Sequence, residues 1–252
     1  MRAVEGHTRI LEILAEDGKL SVNDLASSLG VSVATVRRDL DQLKKQGLLI
    51  RMHGGAVAHR ITYELPLRFK RVKHREEKRR IAQAAASLLS GGEAVGLTGG
   101  TTTAEVARAL VEKADLTIVT TAVNIAAELA VRPNLRVLIP GGIVRSRSYE
   151  IAGPLAEATL RTLNLDIAFI GVDGISPEAG LTTYDVVEAS TNRVMIQQAR
   201  RVVVVADHSK IGRVTFAQIC GLDCVDTFIT DTGADPAIVD QLREAGLKVW
   251  LV

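Results

Sequence analysis

The sequence predicts an α/β protein in two parts: a small N-terminal domain of three helices closed by a β-hairpin, and a larger domain whose strands and helices alternate. Three observations predict it. A chain of 252 residues suits one small and one larger domain. Between Ser21 and Leu40 two short helical patterns meet across a Leu29-Gly30-Val31 turn. From Glu76 onward short aliphatic runs recur between helical patterns. Strands this apolar are buried on both faces, as in a mostly parallel sheet sandwiched by helices.

The first helix covers His7-Thr8-Arg9-Ile10-Leu11-Glu12-Ile13-Leu14 and ends near Asp17-Gly18, with Ile10, Leu11 and Leu14 packing on the helix pair. The third helix opens at Ser32, whose side-chain oxygen can cap the first free N–H groups. Val36, Leu40 and Leu43 fall at i, i+4 and i+7 and form one buried stripe. Ala34, Arg38, Asp41 and Lys45 point the opposite way, flanked by Thr35 and Arg37. A capped helix with an arginine pair on its open face suits a DNA major groove, and a solvated charged face on an ordinary helical hairpin fits the same residues. After Gly47 the pattern becomes a β-like run, a Gly54-Gly55 turn and a short return, read as a hairpin wing. Three helices and a hairpin make a winged helix-turn-helix. Arg51 and His53 near the wing tip are candidates for phosphate contact, with a plain turn residue the equal alternative for His53.

Charge is uneven along the chain. Residues 1–80 hold 17 Lys+Arg against 10 Asp+Glu, and the remainder 14 against 19. A basic end on an acidic body points to a polyanion partner for the first part only. Aromatics make up 3% of residues, so the core is aliphatic. No apolar run reads as a signal peptide or a membrane span, and the expected location is the cytoplasm. Cys220 and Cys224 lack a second pair or clustered histidines, which argues against zinc, and they are expected as two small buried thiols rather than a disulfide. Neither a metal nor a cofactor is expected.

The segment SVNDLASSLGVSVATVRRDLDQLKKQGLLIRMHGGAV resembles the DNA-binding segment of the DeoR family of bacterial sugar-responsive transcription regulators. The match runs through Val31-Ser32, Thr35-Val36-Arg37-Arg38-Asp39-Leu40, Gly47 and the Arg51…His53-Gly54-Gly55-Ala56 ending. The resemblance implies that Ser32, Thr35, Arg37 and Arg38 touch DNA. With Ser21, Ala34, Arg51 and His53 they form the candidate DNA interface. Asp39, nearer the buried edge of the helix, suits a structural ion pair.

Expected boundaries are residues 1–57 for the DNA-binding domain, 58–75 for a basic linker and 76–252 for the second domain. The linker lacks either periodicity and contains Pro66. Strands are expected at Ala94–Leu97, Thr117–Val119, Arg136–Ile139, Ile167–Ile170, Val202–Ala206, Thr227–Ile229 and Lys248–Val252. Helices are expected at Thr103–Glu112, Val123–Val131, Val187–Arg200 and Pro236–Ala245.

In such a sheet ligands bind beyond the carboxyl ends of the strands, where this domain collects its glycines and polar residues. Gly99, Gly100, Thr101, Thr102 and Thr103 follow the first strand and lead into a helix, a pattern that fits a phosphate site and equally a tight turn with hydroxyl caps. Thr120, Thr121 and Asn124 follow the second strand, Gly141 and Gly142 the third, Asp173, Thr182 and Glu188 the fourth, and Lys210 the fifth. Lysine can hold a phosphate as a point charge, and Asp173 and Glu188 can accept sugar hydroxyls.

Residues 76–252 also look like the effector domain of the same family, which is similar to ribose-5-phosphate isomerase. Thr98–Thr103 resembles that enzyme's Thr-Gly-Ser-Thr phosphate loop. Of its Asp-Gly-Ala-Asp acids, Ile170-Gly171-Val172-Asp173 keeps the second only, and Glu178-Ala179-Gly180 has no lysine. The expected function is a sequence-specific regulator, a repressor that senses a phosphorylated sugar without turning it over. Its partners would be a palindromic or repeated double-stranded operator and further copies of itself, as a homodimer or tetramer. The alternative is a phosphosugar isomerase or deaminase with an N-terminal regulatory module. Two departures from the family pattern bear on the ligand: Thr98-Gly99-Gly100-Thr101-Thr102 lacks the acid of Asp-x-Gly-Thr-Thr, and Thr120-Thr121 replaces Thr-Asn.

Overall fold

In the computed structural model, which describes residues 3–58 and 64–252, the chain divides into two units, Met1–Lys73 and His74–Val252. In the head, helices α1 (Ala3–Asp17), α2 (Val22–Leu29) and α3 (Val33–Lys45) bury their apolar stripes together. Ile10, Leu11 and Leu14 meet Val22, Leu25, Val36, Leu40 and Leu43 in one cluster, as their spacing requires. The wing is β2 (Leu49–Met52) and β3 (Gly55–Ala58), and a strand not expected from sequence, β1 (Lys19–Ser21), pairs antiparallel with β3.

Pairing with β1 shifts the wing turn by one residue. The turn is His53-Gly54, with Gly54 at φ 76, and Gly55 stands inside β3. A Cβ on Gly55 would lie 2.0 Å from the Leu20 carbonyl oxygen. Gly55→Ala is therefore expected to part β1 from β3 and destabilise the head by about 1–3 kcal/mol, the usual cost of overpacking. Thermal denaturation checks this, and an unchanged transition would contradict it.

The expected linker is not structureless where it is described. Its residues 59–63 lie outside the described residues. Beyond them Pro66 opens a short helix, α4 (Leu67–Lys70), whose Phe69 is buried in the head core. Arg68 donates to Gln46 Oε1 at 2.7 Å, and Lys73 Nζ stands 2.5 Å from Glu12 Oε1. A four-residue helix is too short to show a period, so its two apolar contacts, Leu67 and Phe69, carried no readable signal.

The body is a seven-stranded parallel sheet in the order β15-β14-β12-β9-β4-β5-β6. Its strands are β4 (Ala94–Leu97), β5 (Leu116–Thr120), β6 (Leu135–Leu138), β9 (Ile167–Ile170), β12 (Val202–Val205), β14 (Thr227–Thr230) and β15 (Lys248–Leu251). All seven expected strands belong to it. Ile167 and Phe169 of β9 and Val203 and Val205 of β12 face α5 (Arg75–Ala86), α6 (Thr101–Ala109) and α7 (Val123–Leu129). Ala168, Ile170, Val202 and Val204 face the other way, toward α8 (Pro154–Leu160), α9 (Val186–Gln197) and α10 (Pro236–Glu244). Both faces are buried, which is why the strands read as unbroken aliphatic runs.

Two smaller sheets were not legible as strands: β7 (Ile143–Val144) with β8 (Ile151–Ala152), and β10 (Gly174–Ser176), β11 (Gly180–Thr183) and β13 (Ala217–Cys220). Their runs are short and mixed. The cysteines also differ from expectation. Cys220 and Cys224 are joined in a disulfide across a tight turn with Cα atoms 6.7 Å apart, and neither is fully buried. The turn at Leu222–Cys224 folds the chain back so that the two sulfurs meet, a proximity that a C-x3-C spacing alone does not reveal.

Candidate DNA interface and ligand site

The start of α3 has the form expected of a groove-reading helix. Ser32 Oγ accepts the Thr35 N–H at 3.1 Å and lies 2.9 Å from Thr35 Oγ1, so the cap and the first turn are held together. Ser32, Ala34, Arg37 and Arg38 are exposed and Thr35 is half-buried, while Val36, Leu40 and Leu43 anchor the opposite side. Asp39 stands 3.4 Å from His7 Nε2, in the internal pairing expected of it. His53 is exposed at the wing turn.

Two other candidates already have intramolecular roles. Ser21 Oγ accepts the Asn23 N–H at 3.3 Å as the cap of α2. Arg51 reaches inward: Nη1 donates to Gly55 O at 3.1 Å and Nε lies 3.2 Å from Asp41 Oδ1, which braces the wing on α3.

In the body, strand order reverses between β4 and β9, since the chain runs from β4 out to β6 and then returns to the other side of β4. The carboxyl ends of these neighbours form the crevice in which open parallel sheets bind ligands. Thr98 Oγ1 accepts the Gly171 N–H at 2.9 Å, tying the loop after β4 to the loop after β9. Gly99 and Gly100 follow, and Thr101 opens α6, with Thr102 and Thr103 buried. Thr103 Oγ1 donates to Gly100 O at 3.1 Å.

Opposite charges meet beside this loop. Lys210 Nζ lies 3.6 Å from Asp173 Oδ1. Thr183 Oγ1 donates to Glu188 Oε1 at 2.8 Å and lies 3.3 Å from Asp173 Oδ2. Arg145 pairs with Glu188 and stands 3.3 Å from Asp185 Oδ2. Asp207, one turn before Lys210, is buried 3.6 Å from Lys78 of α5. Burial alone would push its carboxyl up, but Lys78, the Ser209 hydroxyl and Lys210 hold it below its ordinary value.

The remaining candidates divide. Thr120 and Thr121 are fully buried, and Thr120 Oγ1 accepts the Ala122 N–H at 3.1 Å. Thr121 Oγ1 and, in the first turn of α7, Asn124 Oδ1 are buried without a hydrogen-bond partner. Gly141 and Gly142 lead into β7. The Thr182 hydroxyl accepts from Thr215 N at 3.0 Å and lies 3.3 Å from Gly174 O, so it serves the antiparallel sheet. Strand alternation instead turns its neighbour Thr183 toward Asp173 and Glu188.

Comparison with known proteins agrees with this division into head and body. Residues 7–62 match the DeoR-like helix-turn-helix domain, and residues 73–232 match the DeoR C-terminal sensor domain. The chain belongs to the DeoR family. Its DeoR relatives include the HTH-type transcriptional regulator GlpR of Haloferax volcanii, 38% identical over 99% of this chain and 98% of that one. The glycerol-3-phosphate regulon repressor of Escherichia coli is 32% identical over 100% of both chains. Among solved structures, ribose 5-phosphate isomerase A of Methanocaldococcus jannaschii matches with a TM-score of 0.40 and 21% identity over 54% of this chain and 53% of that one. This DeoR protein is thus a DNA-binding transcription regulator, and none of its described helices is long and apolar enough to cross a membrane.

Sequence reading missed Arg145 and Glu150 of this DeoR sensor. The polar run Arg145-Ser146-Arg147-Ser148 was visible, but the short β7–β8 pairing that folds it back over the crevice was not. Glu150 is buried, and its carboxyl lies against Gly99, where a Cβ would meet Oε1 at 2.0 Å.

Proposed function

We propose that the protein is a repressor of sugar catabolism genes, released from a palindromic or repeated operator when a phosphorylated sugar occupies the crevice between β4 and β9. The observation that carries this reading is the crevice itself: it lies where strand order reverses, and a glycine-threonine loop, Lys210 and Arg145 converge on it with carboxyls suited to sugar hydroxyls. The Escherichia coli relative is named for the glycerol-3-phosphate regulon, and glycerol 3-phosphate shares the phosphate and hydroxyl groups of the proposed effector. The state of two acids supports binding without turnover. Asp173 and Glu188 are each engaged by a cation and by Thr183, which leaves neither poised as a general base. Ligand binding favours one arrangement of the protein over the DNA-competent one, and self-association as a dimer or tetramer matches repeated half-sites. The proposed site of action is the cytoplasm.

The test is a melting screen of the full chain with ribose 5-phosphate, glucose 6-phosphate, glucosamine 6-phosphate and glycerol 3-phosphate. A ligand present at 100 times its Kd is expected to add about 2.7 kcal/mol to stability. The same compound should release bound DNA, and Lys210→Ala should lose most of the stabilisation. Formation of an isomerised or deaminated product, or no shift with any phosphorylated sugar, would refute the reading.

A further inference from the structure

Glu150 is 3% exposed and lies over the loop after β4. Its carboxyl fills the place of a Gly99 side chain: a Cβ there would meet Glu150 Oε1 at 2.0 Å. The backbone around it is pinned. Tyr149 sits at φ 61, Ile151 N donates to Thr121 O at 2.7 Å, and Arg145 N donates to Glu150 O at 2.8 Å.

The charged groups facing Glu150 are Glu188 of α9, Arg145 of the turn after β7, and Asp173 beyond β9. Arg145 is already shared with Glu188 and Asp185, and Lys210 with Asp173. Burial, then the negative charges of Glu188 and Asp173, push the Glu150 carboxyl well above the usual carboxylate range, against the pull of Arg145 and the Gly99 N–H.

An anion cradled by the N–H groups of this loop comes up against the carboxyl that covers Gly99. An ionised carboxylate and a dianion repel each other there, more strongly in a buried site than in water. A protonated carboxyl instead offers its O–H to the anion as a donor. We infer that Glu150 is a ligand-binding residue of this site, and that an anion held on the Gly99–Thr103 loop enters together with one proton, taken from solvent onto the Glu150 carboxylate. The inference rests on the reading of the body as a phosphosugar sensor and specifies how that site receives the phosphate.

Sulfate is the probe, because it stays a dianion while phosphates titrate. Calorimetric titration of the full chain with sulfate at constant ionic strength, from about pH 5 to about pH 9, spans the range into which a raised carboxyl moves. Above the Glu150 pKa the wild-type affinity should fall by up to about tenfold per pH unit, the slope for uptake of one proton. Glu150→Gln, which keeps an N–H donor and cannot titrate, should show no such slope. Glu150→Ala should also be flat and bind more weakly than Glu150→Gln, for want of a donor, with far-UV circular dichroism as the check that each variant is folded. Equal slopes in wild type and Glu150→Gln, or a flat wild type, would overturn the inference. Sulfate failing to bind at any pH would overturn it too. A sugar phosphate that still raised the melting temperature would then leave the proposed function standing, with its phosphate held elsewhere.

Discussion

Replacing both Arg37 and Arg38 by alanine is expected to remove sequence-specific DNA binding. Both side chains are exposed on α3 while the buried Val36, Leu40 and Leu43 hold the helix in place, so truncation should leave the head folded. An arginine that reads a base contributes about 1–3 kcal/mol, and one that meets a phosphate weakens all sequences alike and lowers the salt slope by about one. The double variant should therefore lose roughly a hundredfold or more on a duplex selected by the wild type from a random library. Fluorescence anisotropy at several salt concentrations separates the two roles. Unchanged binding would take α3 out of the interface. By contrast, Arg51→Ala should act through the wing, since Arg51 is spent on Asp41 and Gly55 O.

The second large effect is on stability. Lys78→Met is expected to cost about 3–5 kcal/mol, because it leaves the buried Asp207 carboxylate without its 3.6 Å partner. The pH dependence follows from the sign of the shift. Asp207 is held below its ordinary value, so its contribution is complete above the unfolded pKa of about 3.9 and is lost as pH falls through the lower folded value. In Lys78→Met that part of the acid sensitivity should disappear. Denaturant unfolding at neutral and acid pH measures both. Asp207 also caps the short turn that carries Lys210, its Oδ1 accepting the Ser209 N–H at 3.1 Å, so the same variant should blunt the response to sugar phosphate.

The parts of the fold that were legible are those whose signal repeats. The seven parallel strands appear as aliphatic runs because each is covered on both faces, as Ile167–Ile170 and Val202–Val205 are. The stripe Val36, Leu40, Leu43 and the cap at Ser32 were legible for the same reason: period and capping are local rules. The illegible parts are short. The strands β1, β7 and β8 have two or three residues each, and α4 has four, too few to show a period. Within the candidate ligand site the sequence pointed to Thr182, but the pairing of β11 with β13 gives its hydroxyl to the sheet and turns Thr183 to Asp173 and Glu188 instead. Glu150 gave no signal, because nothing in Ser148-Tyr149-Glu150-Ile151 marks it as facing Gly99.

By itself, then, the order of residues determined the two-part plan, the capped helix α3 with its exposed arginines and the strand ends that gather glycines and polar residues, since each depends on neighbours within a few residues. Only tertiary structure decided which groups share the crevice. Glu150 meets Gly99, Arg145 meets Glu188, and Lys78 meets Asp207 across long stretches of chain. Such partners are chosen by the packing of the sheet and its covering helices, and charge balance in a buried crevice belongs to the assembled set rather than to any one segment.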